Sequence, residues 1–175
     1  DKANVALGFS LLQAGRPAAA RLALERVRLD GPQSNKALLG AGWASAAEER
    51  FAEALAPWIE LRGRALTDAA VQESYLAVPY AYARLTANQQ AALSYEVAVA
   101  GYEGERRRLQ ESIEAIRSGR MLAAVLEADR DDRQGWFWQL KTLPDAPESR
   151  YLYHLLAGNE FQEALVGYEG RAAAF

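Results

Sequence analysis

Two stretches decide how this chain reads: GRPAAARLALERV (residues 15–27) and ERFAEALAPWIEL (residues 49–61). Each opens on a turn, then carries an alanine, then a bulky residue four positions on: Ala20 and Leu24 in the first, Ala54 and Trp58 in the second. Their offset is 34 residues, room for two helices and their connection. The same offset relates Leu7 and Gly8 to Ala41 and Gly42, Val27 to Leu61, and Pro32 to Leu66. A third copy needs an offset of 71, so about three residues are inserted; Val78, Pro79, Thr86, Ala91, Tyr95 and Ala98 then fall on the same marks. A partial fourth copy, YLYHLLAGNEFQEALVGYEG (151–170), brings Gly158, Phe161, Ala164 and Tyr168 in the same order.

Composition agrees with helix. Of 175 residues half are hydrophobic and a quarter charged, which suits one compact domain or one run of repeats. Alanine, leucine, glutamate and arginine dominate, and β-branched residues are sparse, a mixture that favours helix over strand. A formal net charge of −3 argues against nucleic acid as a partner. No apolar run approaches a membrane span, so direct membrane insertion is not expected. There is no cysteine and one histidine, His154. Thiol catalysis, disulfides and cysteine-ligated zinc therefore have no residues to use, and triad or multi-histidine chemistry has little. The chain opens at Asp1 inside a helical pattern and ends on RAAAF. It reads as a piece of a longer protein.

A 34-residue helix-turn-helix unit with small residues at its eighth, twentieth and twenty-seventh positions resembles the tetratricopeptide repeat (TPR). The likeness covers about Asn4–Ala100, with a weaker match from Arg150 onward. Repeat 1 carries Leu7, Gly8, Ala20 and Pro32; repeat 2 keeps Gly42 and Ala54 without the closing proline; repeat 3 has Pro79 where glycine is expected. The resemblance implies an all-α, right-handed α-solenoid, here with one long helix and an irregular aromatic-rich insertion. It also accounts for Gly8. A glycine inside a helix costs roughly 1 kcal/mol relative to alanine, offset where a missing side chain lets paired helices approach. Ala20 is expected to serve the same contact.

Helices are expected at about 3–14, 18–29, 35–47, 51–64, 69–85 and 88–118. Gly15 closes the first, Pro17 suits the first turn of the second, and Asp30–Pro32 is a turn. Pro57 and Pro79 lie deeper in their helices, where kinks are expected. The sixth helix would span about 45 Å at 1.5 Å per residue. Leu109, Ile113 and Ile116 give it an apolar edge, against which RMLAAVLEAD could fold back, and Glu103 and Arg107 stand at i,i+4. The domain plan is thus three repeats over 1–100 (1–34, 35–68 and 72–105, approximately), an extended helix plus insertion over 101–149, and a partial repeat over 150–175.

In the family, the first helices of successive repeats line a concave face through positions 2, 5, 9, 12 and 13. Carried over, repeat 1 supplies Lys2, Val5, Phe9, Leu12 and Gln13; repeat 2 supplies Lys36, Leu39, Trp43, Ala46 and Ala47; repeat 3 supplies Glu73, Leu76, Tyr80, Ala83 and Arg84. The ninth position is aromatic three times, and an aromatic stripe beside small alanines makes a slot for a peptide or helix. Phe9 stands where the chaperone-tail clamp of some TPR domains needs asparagine, so that recognition is disfavoured.

Trp136, Phe137 and Trp138 are a second candidate surface, or the plug of a core. EADRDDR (127–133) resembles a calcium loop superficially, with Arg133 where a third oxygen ligand belongs. It reads as a solvated loop, and Glu105–Arg108 as a solvated helix face. No metal ligands, cofactor motif or catalytic residues are assigned. The expectation is a non-catalytic scaffold binding a protein or peptide, with a homo-oligomer allowed. One rival is a structural assembly module whose groove is filled by its own chain. The other is a carboxylate-based glycan hydrolase, needing two carboxylates about 5–10 Å apart across a cleft. LDGPQSNKALLGAGWA (29–44) and VQESYLAVPYAYARL (71–85) loosely resemble stretches of uncharacterised TPR proteins of Gram-negative bacteria, often exported, which with the lack of cysteine favours the periplasm; the cytoplasm is the alternative.

Overall fold

The computed structural model describes residues 1–121, 123, 149–156, 158–161, 163 and 164. These form an all-α structure, with no strand among the described residues. The helices are α1 (Lys2–Gln13), α2 (Pro17–Leu24), α3 (Ser34–Ala47), α4 (Phe51–Arg62), α5 (Ala69–Arg84), α6 (Asn88–Arg117) and α7 (Ser149–Leu156). Trp136, Phe137 and Trp138, the acidic stretch 127–133, most of RMLAAVLEAD and the side chain of His154 lie outside the described residues.

Five of the first six helices end within two residues of their expected ends. The exception is α2, which stops at Leu24 rather than near residue 29. Apolar spacing at Ala20, Leu24 and Val27 suggested more helix, but Val27 N–H turns back to Leu24 O at 3.0 Å. Val27 still reaches the core, from a turn instead of a helix. The turn also brings Arg28 to Asp1, whose Oδ2 lies 2.9 Å from both Nε and Nη2. Both α4 and α5 continue through their prolines, Pro57 and Pro79.

Three turns share one geometry. Gly15, Glu49 and Thr86 all adopt left-handed backbone, with φ of 68°, 60° and 58°. In each, that residue's N–H bonds the carbonyl three residues back, to Leu12, Ala46 and Ala83, at 3.0 Å. The following N–H bonds the carbonyl five back: Arg16 to Leu11, Arg50 to Ser45, Ala87 to Tyr82, at 2.9–3.0 Å. This is the Schellman closure of a helix. The turns fall at the sequence offsets of 34 and 71. Only the first carries glycine, so the other two hold a side chain where L-residues cost about 1 kcal/mol.

Two compact units divide the chain, Asp1–Glu103 and Gly104–Phe175, and the boundary falls within α6. In the first unit, α1 packs on α2, α2 on α3, α3 on α4 and α4 on α5; α1 also meets α3, and α3 meets α5. Tyr102 on α6 donates its hydroxyl to Gln72 O of α5 at 2.6 Å, with its ring 6.0 Å from Tyr75. Burial and the adjacent Tyr75 hold the Tyr102 phenol above its ordinary pKa.

The glycine notches set how closely the helices approach. A Cβ on Gly8 would sit 2.5 Å from Leu24 Cγ, and one on Gly42 would sit 2.6 Å from Trp58 Cδ1. Leu24 and Trp58 occupy the same repeat position, so the two notches admit equivalent side chains of different size. The side chain nearest Gly8 is thus Leu24, and Ala20 is fully buried. The first core cluster joins Val5, Leu24, Val27 and Ala37. The larger one runs from Leu39 through Phe51, Trp58 and Leu61 to Val78 and Ala81. In the third copy Pro79 replaces the notch glycine, and the corresponding Tyr95 remains 47% exposed.

In the second unit, Tyr151 of α7 donates its hydroxyl to Glu105 Oε1 of α6 at 2.8 Å. Burial, then that hydrogen bond to a carboxylate, push the phenol up to about 12. The ion pair in this part of α6 is Arg108–Glu105 at 3.1 Å, in place of the Glu103–Arg107 pair that spacing allowed. No helix among the described residues is long and apolar enough to cross a membrane.

Candidate functional site

The candidate residues sit on α1, α3 and α5, the odd-numbered helices of the first unit. Lys2 and Phe9, Lys36 and Trp43, and Glu73 and Tyr80 are each seven residues apart, two helical turns, and so share a face. Because α3 packs beside both α1 and α5, that face is carried across three helices.

At its centre is Trp43. Its ring stands edge-on to buried Trp58, with centroids 4.8 Å apart and planes at 66°. Tyr80 lies on its other side at 6.1 Å. The indole N–H donates to Glu73 Oε1 at 2.6 Å, tying α3 to α5. Tyr80 in turn meets Phe51 edge-on at 5.8 Å, and the Arg84 guanidinium lies 4.9 Å from the Phe51 ring centre. Edge-to-face pairs contribute about 0.5–1.5 kcal/mol each beyond burial. The run Trp58, Trp43, Tyr80, Phe51 therefore makes a fixed aromatic platform rather than a set of mobile rings.

The other candidates divide by burial. Phe9 is half-buried and belongs to the first core cluster, with its Cζ close to Gly40; it is not part of the Trp43 platform. Val5 and Leu39 are core residues, each 7% exposed, whereas Leu76 at the same repeat position is 53% exposed. The reason is position in the row: α3 packs beside α1 and α5 beside α3, while no further odd-numbered helix follows α5 within the first unit. Tyr80 is 38% exposed. Leu12, Trp43 and Ala46 are half-buried, and Lys2, Gln13, Lys36, Ala47, Glu73, Ala83 and Arg84 are exposed.

Phe51 and Trp58 support this face from α4, outside the positions that the resemblance assigns to a concave surface, so sequence reasoning missed them. Glu73 was read as a contact for a ligand, but it already accepts from Trp43. Its place at the second position of repeat 3, near the ninth position of repeat 2, is the signal that pointed to it. A second concavity was also missed. It is a cleft of about 360 Å³ between α2, α3 and α4, with Leu24, Val27, Ala37, Leu38 and Pro57 in its wall and Arg21 among its polar residues. Among the described residues no group of three His, Cys, Asp or Glu is placed to hold a metal ion.

No protein-family model, curated protein or solved structure matches this chain.

Proposed function

We propose that the unit Asp1–Glu103 is a TPR-like run of helix-turn-helix repeats, a right-handed solenoid, that binds a protein or peptide without catalysis of its own. The recurrence of the Schellman turn at Gly15, Glu49 and Thr86 supports the repeat reading. The binding reading rests on one observation: Leu76 and Tyr80 present apolar surface beside the ordered Trp43 platform. Interaction hot spots are enriched in tryptophan, tyrosine and arginine, and Trp43, Tyr80 and Arg84 all belong to this face. The periplasm remains the proposed compartment.

Affinity capture from cells of the source, comparing the parent with Leu76→Asp, tests this. Leu76 is exposed, so its replacement should change stability by no more than about 0.5 kcal/mol. A protein held by the parent and lost by an equally stable variant supports the reading. Equal capture by both refutes this face as the site. Trp43 favours a second reading, structural assembly, because Trp58, Tyr80 and Glu73 of the same chain already engage it. Light scattering that shows a concentration-dependent dimer broken by Leu76→Asp would favour that alternative.

A further inference from the structure

We infer that the partner of the odd-helix face is an acidic peptide segment carrying aliphatic or aromatic anchors, its carboxylates meeting Lys36 and Arg84, with Lys2 further along. This rests on the binding reading just given and names the chemistry of the ligand.

The argument begins with where cations are already neutralised. In the first unit Arg21, Arg28, Arg50 and Arg64 are each paired with a carboxylate: Glu25, Asp1, Glu48 and Glu53, and Glu60 respectively. Arg16 and Arg26 form no ion pair among the described residues, and Arg62 lies over the Tyr75 ring; what sets the candidate face apart is three cations against one carboxylate. Lys2, Lys36 and Arg84 are exposed and form no ion pair among the described residues. Arg84 leans on Phe51 through its guanidinium, which leaves its outer N–H groups for an acceptor. The face has one carboxylate among its candidate residues, Glu73, whose Oε1 accepts from the Trp43 indole N–H; counted against Lys2, Lys36 and Arg84 it leaves the face net positive by two.

So this face is locally cationic on a chain whose net charge is −3. That contrast matters for selectivity. A partner drawn by overall charge would be basic, whereas a partner drawn by this face is acidic. Long-range attraction is screened beyond roughly 10 Å at 0.1 M salt, so the local cations decide the bound state. Anchors follow from Leu76 and Tyr80. Both lie on α5, four residues apart, with Arg84 a further four residues along, so all three share one side of that helix. An extended peptide advances about 3.3 Å per residue, and helices in contact lie about 8–10 Å apart. Lys36 corresponds to Glu73 on α5, and Arg84 lies eleven residues beyond it, about 16 Å along the helix at 1.5 Å per residue, so carboxylates about six residues apart are needed to address both cations, with an apolar residue between them on Leu76.

The test uses the whole 175-residue chain and fluorescence anisotropy. The probes are three labelled peptides, each amidated at its C-terminus: one alternating Asp or Glu with Leu and Phe, one with Asn and Gln in place of the acids, and one with Lys and Arg. The acidic peptide should bind at least tenfold more tightly than the amide version at 50 mM salt, and the gap should narrow as salt rises. Lys36→Glu and Arg84→Glu should each remove severalfold of the acidic peptide's affinity and leave the amide version's unchanged. Leu76→Asp should abolish binding of both. If the acidic and amide peptides bind equally, and Leu76→Asp still abolishes both, the face binds peptides but the acidic partner is overturned. If the basic peptide binds best, or no peptide binds, the inference is overturned. If the acidic peptide binds and none of the three substitutions matters, the face is not the site, and both this inference and the binding reading fail.

Discussion

Gly42→Ala should destabilise the protein even though alanine is the better helix former. In an open helix the exchange would gain about 1 kcal/mol. At position 42 the new methyl would stand 2.6 Å from Trp58 Cδ1, inside the van der Waals envelope of a fully buried indole. Trp58 cannot swing outward, since its N–H donates to Leu39 O at 3.2 Å and Trp43 closes its other side at 4.8 Å. Overpacking a filled core costs about 1–3 kcal/mol, and a weakened buried hydrogen bond about 1 kcal/mol more. The net expectation is a loss of about 1–3 kcal/mol, or a fall in Tm of about 3–10 °C for a chain of this length. Gly104→Ala is the internal control. It too is a helix-interior glycine, in α6, yet an added Cβ there meets nothing within 4 Å, so stability should rise by about 0.5–1 kcal/mol. Urea denaturation followed by tryptophan fluorescence reads both. A Gly42→Ala/Trp58→Phe double variant should recover part of the loss, with a coupling of about 1 kcal/mol or more. If Gly42→Ala stabilises as Gly104→Ala does, the notch argument is wrong, and Gly42 is not held by contact with Trp58.

Three further outcomes are expected. Asp68 caps α5, accepting from Ala70 N–H at 2.8 Å and Val71 N–H at 3.4 Å; Asp68→Ala should cost about 1 kcal/mol and speed hydrogen exchange at those two amides first. Thr86→Gly should stabilise by about 0.5–1 kcal/mol, because its φ of 58° strains a β-branched residue, while Gly15→Thr should do the reverse; matching signs in thermal melts would contradict the shared-turn geometry. Tyr151 is raised to about 12 by burial and by its bond to Glu105, so the folded state keeps a proton that the unfolded state loses near pH 10. Its contribution is therefore complete below pH 10 and lost as pH rises through about 12; denaturation midpoints should fall less steeply over that range in Tyr151→Phe than in the parent.

Much of the architecture was legible in order along the chain. The offsets of 34 and 71 placed Gly15, Glu49 and Thr86 on one mark, and those three residues share one turn, because a Schellman closure depends on local backbone and needs no distant partner. Helix ends fixed by such turns were read closely. The end of α2 was not, since Ala20, Leu24 and Val27 have helical spacing whichever way Val27 reaches the core, and its turn carries the chain to Asp1, 27 residues earlier. The site divides in the same way. Sequence alone aligned Phe9, Trp43 and Tyr80, because the offsets of 34 and 71 carry one helix position from copy to copy. Only the packing of one helix on another decided that Phe9 joins a core, that Trp43 is tied to Glu73 and Trp58, and that Leu76 stays open where Val5 and Leu39 are closed. Exposure depends on which helix lies alongside, and sequence position cannot carry that information: the same mark is buried on α1 and α3, each followed by another odd-numbered helix, and exposed on α5, which none follows within the first unit.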